Sequence, residues 1–232
     1  METKVEKAAR VEKQALDDAE LALINRQALR ELTTDEVFTF KIAACNDQVD
    51  RDYEHFSEKT LADLTSLFVG KTVIMDHDWS AANQTARIYA SGVEPMSGGG
   101  KQLVLRAYML RSDESKKTID RIESGILREV SVFCSIQRAV CDICGADKRI
   151  TYCEHRPGNE YDGKTATVTL DGAADAYEVS FVAVPAQREA GTVKKYGGED
   201  AAPETDHAQT ARAELRLRLA KTRLNLLALE GK

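Results

Sequence analysis

Between residues 37 and 190 the apolar positions fall in short strand-like runs, and on either side of that region they recur at helical spacing. Residues 3–32 are rich in Ala, Leu, Glu, Lys and Arg without Gly or Pro, which predicts a helix ended by Thr33 and Thr34. VFTFKIAAC, residues 37–45, starts with alternating apolar and polar positions and predicts the first strand; the acidic NDQVDRDYEHF after it reads as a loop. Ser57 is placed to cap a helix through SEKTLADLTSLF, with Thr60 at the third helical position. Leu61, Leu64, Leu67 and Phe68 follow at helical spacing, and Gly70 closes the helix. KTVIMDHDW continues as strand and turn. QTARIYASGVEP and KQLVLRAYML predict a hairpin around the SGGG stretch at 97–100. Residues 112–124 predict a helix with acidic residues in its first turn and Gly125 as its stop.

A β-branched, aromatic-rich run follows in RIESGILREVSVFCS, then a cysteine-rich loop, then two further strands in KTATVTLDGAAD and YEVSFVAVPA. After Pro185 the composition shifts. YGGEDAAPETD, residues 196–206, reads as a linker, and 207–230 as a helix with Ala208, Arg212, Leu215, Leu219, Thr222, Leu226 and Leu229 on a roughly heptad-spaced line. That line suits packing or self-association. The expected plan is an N-terminal helix (1–34), a domain (35–195) with an insert at 141–158, the linker (196–206) and a C-terminal helix (207–232). Strands outnumber helices in the domain. The expected fold class is therefore α+β, a mostly antiparallel β core with flanking helices and helical extensions at both ends.

Composition narrows the function. The 232 residues are 43% apolar and 30% charged, enough for one ordinary core plus extensions. The net charge of −6 and the pI of 5.4 do not favour a sequence-independent grip on nucleic-acid phosphate. No apolar run approaches the roughly 20 residues that span a bilayer, and the charged start lacks the apolar stretch of a secretory signal. A soluble protein in a reducing compartment is the expectation. SGGGK at 97–101 lacks the spacing of either nucleotide-binding fingerprint.

Three of the five cysteines lie within CDICGADKRITYCEH, as Cys141, Cys144 and Cys153, with His155 two residues on. A CxxC pair grips one metal across a tight turn that Gly145 helps to make, and the CxH pair completes an S₃N shell of the kind zinc favours. A disulfide and unrelated thiols are the competing readings. A reducing compartment argues against the first and the spacing against the second. Four protein ligands leave no position for water, so the expected zinc is structural. Cys45 and Cys134 lie in apolar runs and read as buried small hydrophobes.

Ser131 in the β-rich run and His77 at the end of KTVIMDH supply a hydroxyl and an imidazole on rigid elements, the minimum parts of a hydrolytic nucleophile and its base. Alone, a strand serine is more often a tolerated polar residue, and the histidine a solvated turn residue or a core one. Ser135 shares the parity of Ser131. Trp79 reads as a packing anchor beside His77 rather than a substrate contact, His55 and His207 as solvated, and the Asp76-His77-Asp78 trio as a weaker metal motif.

The order RDYEHFSEKTLADLTSLFVGKTVIMDHDWS, then GILREVSVF, then YEVSFVAVPAQREA resembles the prohead proteases of tailed bacteriophages over about residues 37–190. These are capsid-maturation serine peptidases with a fold similar to the herpesvirus assemblin proteases. The resemblance implies a herpesvirus-protease-like barrel, with His77 and Ser131 at the family's histidine and serine. Glu178, Ser180, Pro185 and Ala186 match its closing block. Val132 and Phe133 depart from it, since many members carry a glycine there. In the implied chemistry Ser131 attacks the peptide carbonyl, His77 moves the proton, and Glu178 orients the imidazole. Asp175 is an alternative acid; Asp76 and Asp78 are disfavoured because neighbours on an extended strand point to opposite faces. Arg188 lies where herpesvirus-type enzymes use an arginine loop. The zinc insert resembles that of a subset of phage versions.

The resemblance further implies protein substrates, namely scaffold, the scaffold-like arm of the major capsid protein, or the chain itself, inside the assembling prohead in the host cytoplasm. It implies no nucleic-acid or membrane partner, and makes a homodimer reasonable. The terminal helices would recruit the chain to scaffold or capsid subunits. The rival readings are a non-catalytic, zinc-stabilised capsid assembly or scaffolding protein, and a zinc-dependent hydrolase.

Overall fold

A computed structural model describes residues 16–184 and Gln187, together with the backbone of Gly191 and Thr192. The chain divides into two units, Met1–Lys195 and Tyr196–Lys232, and the second lies wholly outside the described residues. The expected linker and C-terminal helix, residues 3–15 of the expected first helix, Pro185, Ala186, Arg188 and His207 also lie outside them.

In chain order the elements are α1 (Asp18–Asn25), β1 (Val37–Asn46), β2 (Glu54–Phe56), α2 (Glu58–Phe68), β3 (Thr72–Met75), β4 (Ala86–Pro95), β5 (Lys101–Leu110), α3 (Asp113–Glu123), β6 (Val130–Cys141), β7 (Glu160–Tyr161), β8 (Lys164–Thr165), β9 (Val168–Phe181) and β10 (Gly191–Thr192). The class is α+β. Eight strands form one curled half-barrel in the order β10-β1-β5-β4-β3-β9-β2, with β6 paired to β9. The sheet is mostly antiparallel, as expected, but mixed: β9 runs parallel to β2 and to β3, while the other pairs among the described strands are antiparallel. No helix among the described residues is long and apolar enough to cross a membrane.

Local chemistry explains the helices. Ser57 caps α2 by accepting the Thr60 N–H at 3.1 Å, and Leu61, Leu64 and Phe68 all turn inward to full burial. Each contributes roughly 1.5–3 kcal/mol by leaving water. Ser112 caps α3, and Gly125 follows it at φ +75°. Of the expected N-terminal helix, the described part is helical only over Asp18–Asn25. The helix stops at Asn25, whose side chain closes a loop with the backbone of Leu32 in both directions (2.8 and 3.1 Å). Ile24, Leu32, Val37, Tyr89 and Tyr108 make a small second core there, so tertiary packing overrides helix propensity.

The two strands expected in KTATVTLDGAAD and YEVSFVAVPA are one. β9 passes through Gly172 at φ +74°, and its register against β6 shifts twice, leaving Ala174 and Tyr177 as extra residues. The bulges bend the strand without ending it. The main core lies on the inner face, where Val73, Val130, Val179 and Phe181 meet α2. Alternation therefore sends Ser131, Glu178 and Ser180 to the other face.

Candidate active site and metal centre

β3 ends at Met75, and the next two residues, Asp76 and His77, have φ of +53° and +55°. His77 thus sits in a tight turn just beyond the strand. Three backbone donors hold it there: Asp78 N–H to Met75 O (3.0 Å), Asp76 N–H to Phe181 O (2.9 Å) and His77 N–H to Ser180 Oγ (2.8 Å). The Asn83 amide adds bonds to Met75 O and Asp78 O. Two consecutive left-handed non-glycine residues cost about 1–3 kcal/mol each and persist only where the surroundings over-determine them. Asp and His are among the residues that tolerate this region best.

The turn lays the imidazole over the outer face of β9. His77 Nδ1 lies 2.7 Å from Glu178 Oε1, with the ring 36% exposed and the carboxylate 3%. With a carboxylate as acceptor, Nδ1 carries the hydrogen, which leaves Nε2 as the nitrogen that can accept a proton in the neutral ring. Asp76 and Asp78 do not bond the ring. The reason differs from the expected one, because they flank His77 on a turn, not on an extended strand. Asp175 pairs with Lys71 at 3.3 Å instead. The second carboxylate oxygen, Glu178 Oε2, is buried without a hydrogen-bond partner among the described residues.

Ser131 lies directly across from Ser180 in the β6–β9 pairing, and Phe133 across from Glu178. Opposed residues of antiparallel strands share a face, so the Ser131 hydroxyl is on the side of the sheet that carries the His77–Glu178 pair. Among the described residues no hydrogen bond joins Ser131 to the imidazole. Ser135 lies past the Tyr177 bulge, opposite Asp175, and away from Glu178. Ser180, matched earlier only as part of a sequence block, is fully buried and anchors the histidine turn through its hydroxyl. The S of EVS signalled that role only faintly.

Trp79 packs beside the histidine turn, as expected of an anchor, but does so at the surface. It is 62% exposed and packs against Phe133 (5.1 Å between centroids, edge-on) and Tyr177 (5.8 Å). Phe133 and Tyr177 are 5.5 Å apart, and the His77 ring lies 6.4 Å from Phe133. Nothing in the sequence pairs these rings, because the bulge that brings Tyr177 beside Phe133 is a feature of the register.

In the insert, the donor atoms of Cys141, Cys144, Cys153 and His155 all lie within 4.8 Å of one another, so the cluster can hold a metal ion such as zinc. Cys144 Sγ is 3.5 Å from Cys153 Sγ, and that sulfur is 3.5 Å from His155 Nδ1. Those edges match a tetrahedron with metal–sulfur bonds of about 2.3 Å and exclude a disulfide, whose sulfurs are about 2.05 Å apart. Gly145, at φ +74°, returns its N–H to Cys141 O at 2.8 Å and closes the CxxC turn. Burial works to raise the Cys141 thiol, but the N–H groups of Cys144 and Ile143 and the neighbouring sulfurs bring it below its usual value.

The loop also lines the outer edge of β6. Lys148 N–H donates to Ala139 O (2.8 Å), and Arg149 reaches the carbonyls of Ile136 and Gln137. On its other side Asp142 accepts hydrogen bonds from Thr167 and Thr169, and His55 Nε2 lies 3.2 Å away. His55, expected to be solvated, thus ties β2 to the insert. Cys45 is buried as expected, whereas Cys134 is only partly buried and packs against the core; burial raises both thiols, that of Cys134 to about 11.

No family model, no curated protein and no solved structure matches this chain.

Proposed function

We propose that this chain is a serine endopeptidase of the phage prohead protease kind. The reading rests above all on the 2.7 Å contact between His77 Nδ1 and Glu178 Oε1, on the face to which the β6–β9 register assigns Ser131. In this reading the half-barrel corresponds to the barrel of the herpesvirus assemblin proteases. Ser131 Oγ attacks the scissile carbonyl while His77 Nε2 takes its proton. The imidazolium gives that proton to the leaving amine, and the acyl-enzyme is then hydrolysed by water activated at the same nitrogen. Buried Glu178 fixes the tautomer and stabilises the imidazolium. Ser180 holds the histidine turn in place through the backbone.

Cys141, Cys144, Cys153 and His155 would hold zinc, which when bound supplies a structural staple with no open coordination position. It would secure the loop that lines β6, the strand carrying Ser131. The substrates are scaffold and the pro-segments of the major capsid protein, and the chain itself, inside the prohead in the host cytoplasm. Confinement there raises substrate concentration, so a modest catalyst suffices.

A second reading, a non-catalytic assembly protein, is favoured by the missing hydrogen bond between Ser131 and His77. Apo enzymes often close that bond only with substrate present. Mass spectrometry of the capsid and scaffold chains co-expressed with wild type or Ser131→Ala separates the two. Unprocessed chains accumulating with the variant support the peptidase, and identical processing supports the assembly role.

A further inference from the structure

The turn that presents His77 also carries chemistry that proton transfer does not use. Trp79, Phe133 and Tyr177 stand 62%, 45% and 39% exposed and pack into a triad with centroids 5.1–5.8 Å apart. A contiguous set of large exposed rings is uncommon on a surface with no ligand to meet. Asp76 and Asp78 flank His77 in the same turn and are exposed, and no side-chain ion pair or hydrogen bond of theirs is seen among the described residues. Asp78 is the chain neighbour of Trp79.

Ring faces attract cations through their quadrupole, and unpaired carboxylates add a second attraction of the same sign. An apolar side chain would satisfy the rings but leave the carboxylates unused, and an acidic one would be repelled. We infer that the Trp79–Phe133–Tyr177 triad with Asp76 and Asp78 is a recognition subsite for a lysine or arginine side chain of the substrate peptide. This rests on the peptidase reading for its place in catalysis but not for binding. His77 contacts the triad through Phe133, so a cationic residue seated there lies next to the general base. The long methylene stem of Lys or Arg covers the rings while its head reaches the carboxylates.

The chain has a single tryptophan, so its fluorescence reports directly on this platform. The test titrates blocked pentapeptides that differ only in a central Lys, Arg, norleucine or Glu into the full-length Ser131→Ala protein with zinc bound. Norleucine keeps the stem of lysine and removes its charge. The expected result is that Lys and Arg peptides change Trp79 emission and bind at least about fivefold tighter than norleucine, with Glu weakest. The preference should shrink as salt is raised. In Asp76→Asn/Asp78→Asn the Lys-to-norleucine ratio should fall to about one with thermal stability unchanged. Norleucine binding as tightly as Lys, a ratio indifferent to the double substitution, or no emission change with any peptide would overturn the proposal. Cationic peptides that bind yet stay uncut by the wild type would sink the peptidase reading and leave the subsite standing. Cleavage without preference for Lys or Arg would do the reverse.

Discussion

Glu178→Leu is expected to remove activity without destabilising the fold. Glu178 is 3% exposed, and one carboxylate oxygen has no hydrogen-bond partner among the described residues. Leaving a buried polar atom unmatched costs about 1–3 kcal/mol, and more when it is charged. The bond from the other oxygen to His77 returns about 1.5–3 kcal/mol, so the two nearly cancel. Leucine abolishes both effects and adds apolar burial on the face that also carries Ile74, 2% exposed and two residues along β3 from Thr72, the partner of Glu178. His77 can hydrate Nδ1 once the carboxylate is gone, because its side chain is 36% exposed. Its turn keeps the backbone anchors to Phe181 and Ser180. The balance runs from neutral to about 2 kcal/mol more stable, with each kcal/mol raising the unfolding midpoint by roughly 2–4 °C. Turnover should fall by about 10⁴-fold as the imidazole loses its tautomer control. The assay pairs denaturant unfolding at fixed zinc with cleavage of a capsid or scaffold chain. A variant destabilised by more than about 1 kcal/mol, or one that still cleaves, would refute the argument and make Glu178 a structural residue.

Ser180→Ala leaves the His77 N–H without its acceptor; it should cost about 1–2 kcal/mol in urea unfolding and lower kcat, while Ser180→Thr should retain more of both if the hydroxyl fits. Chelation should release one zinc per chain by elemental analysis, and melt the insert as followed by hydrogen exchange at 136–155; loss of activity with the insert still protected would favour a catalytic metal. Asp171 is held below the ordinary carboxylate range by Arg138 first and the Ser57 hydroxyl second. Its folded value is depressed, so its contribution is present above the unfolded value of about 3.9 and is lost as pH falls through the folded one. Asp171→Asn should therefore flatten the acid limb of the stability profile below about pH 4 and leave its neutral part parallel to wild type.

What the sequence made legible was local. Ser57 announced α2 because a capping hydroxyl and a run of inward leucines act within a few residues, and the acidic first turn with Gly125 marked α3 in the same local way. The β4–β5 hairpin and the Cys141–Cys144–Cys153–His155 cluster were readable for the same reason. The overlong first helix failed because Asn25 and Gln27 bond to Leu32 and Ile88, partners that propensity does not see. The GAAD segment read as a break because bulges and breaks draw on the same residues, and only the β6 partner distinguishes them. The parallel pairing of β3 with β9 joins residues about a hundred positions apart, and with it comes the meeting of His77 and Glu178. Sequence alone placed Glu178 only through the family resemblance. The exposed aromatic triad had no local signal at all.

The central claim is that Ser131 is a nucleophile activated by His77, and a mechanism-based phosphonylating probe tests it without knowledge of the substrate. Intact-mass and peptide mapping after treatment with an alkyl fluorophosphonate should find one adduct per chain, on Ser131, and none in His77→Ala. Adducts confined to another residue, such as Ser135, or labelling no faster than that of the denatured protein, would contradict it.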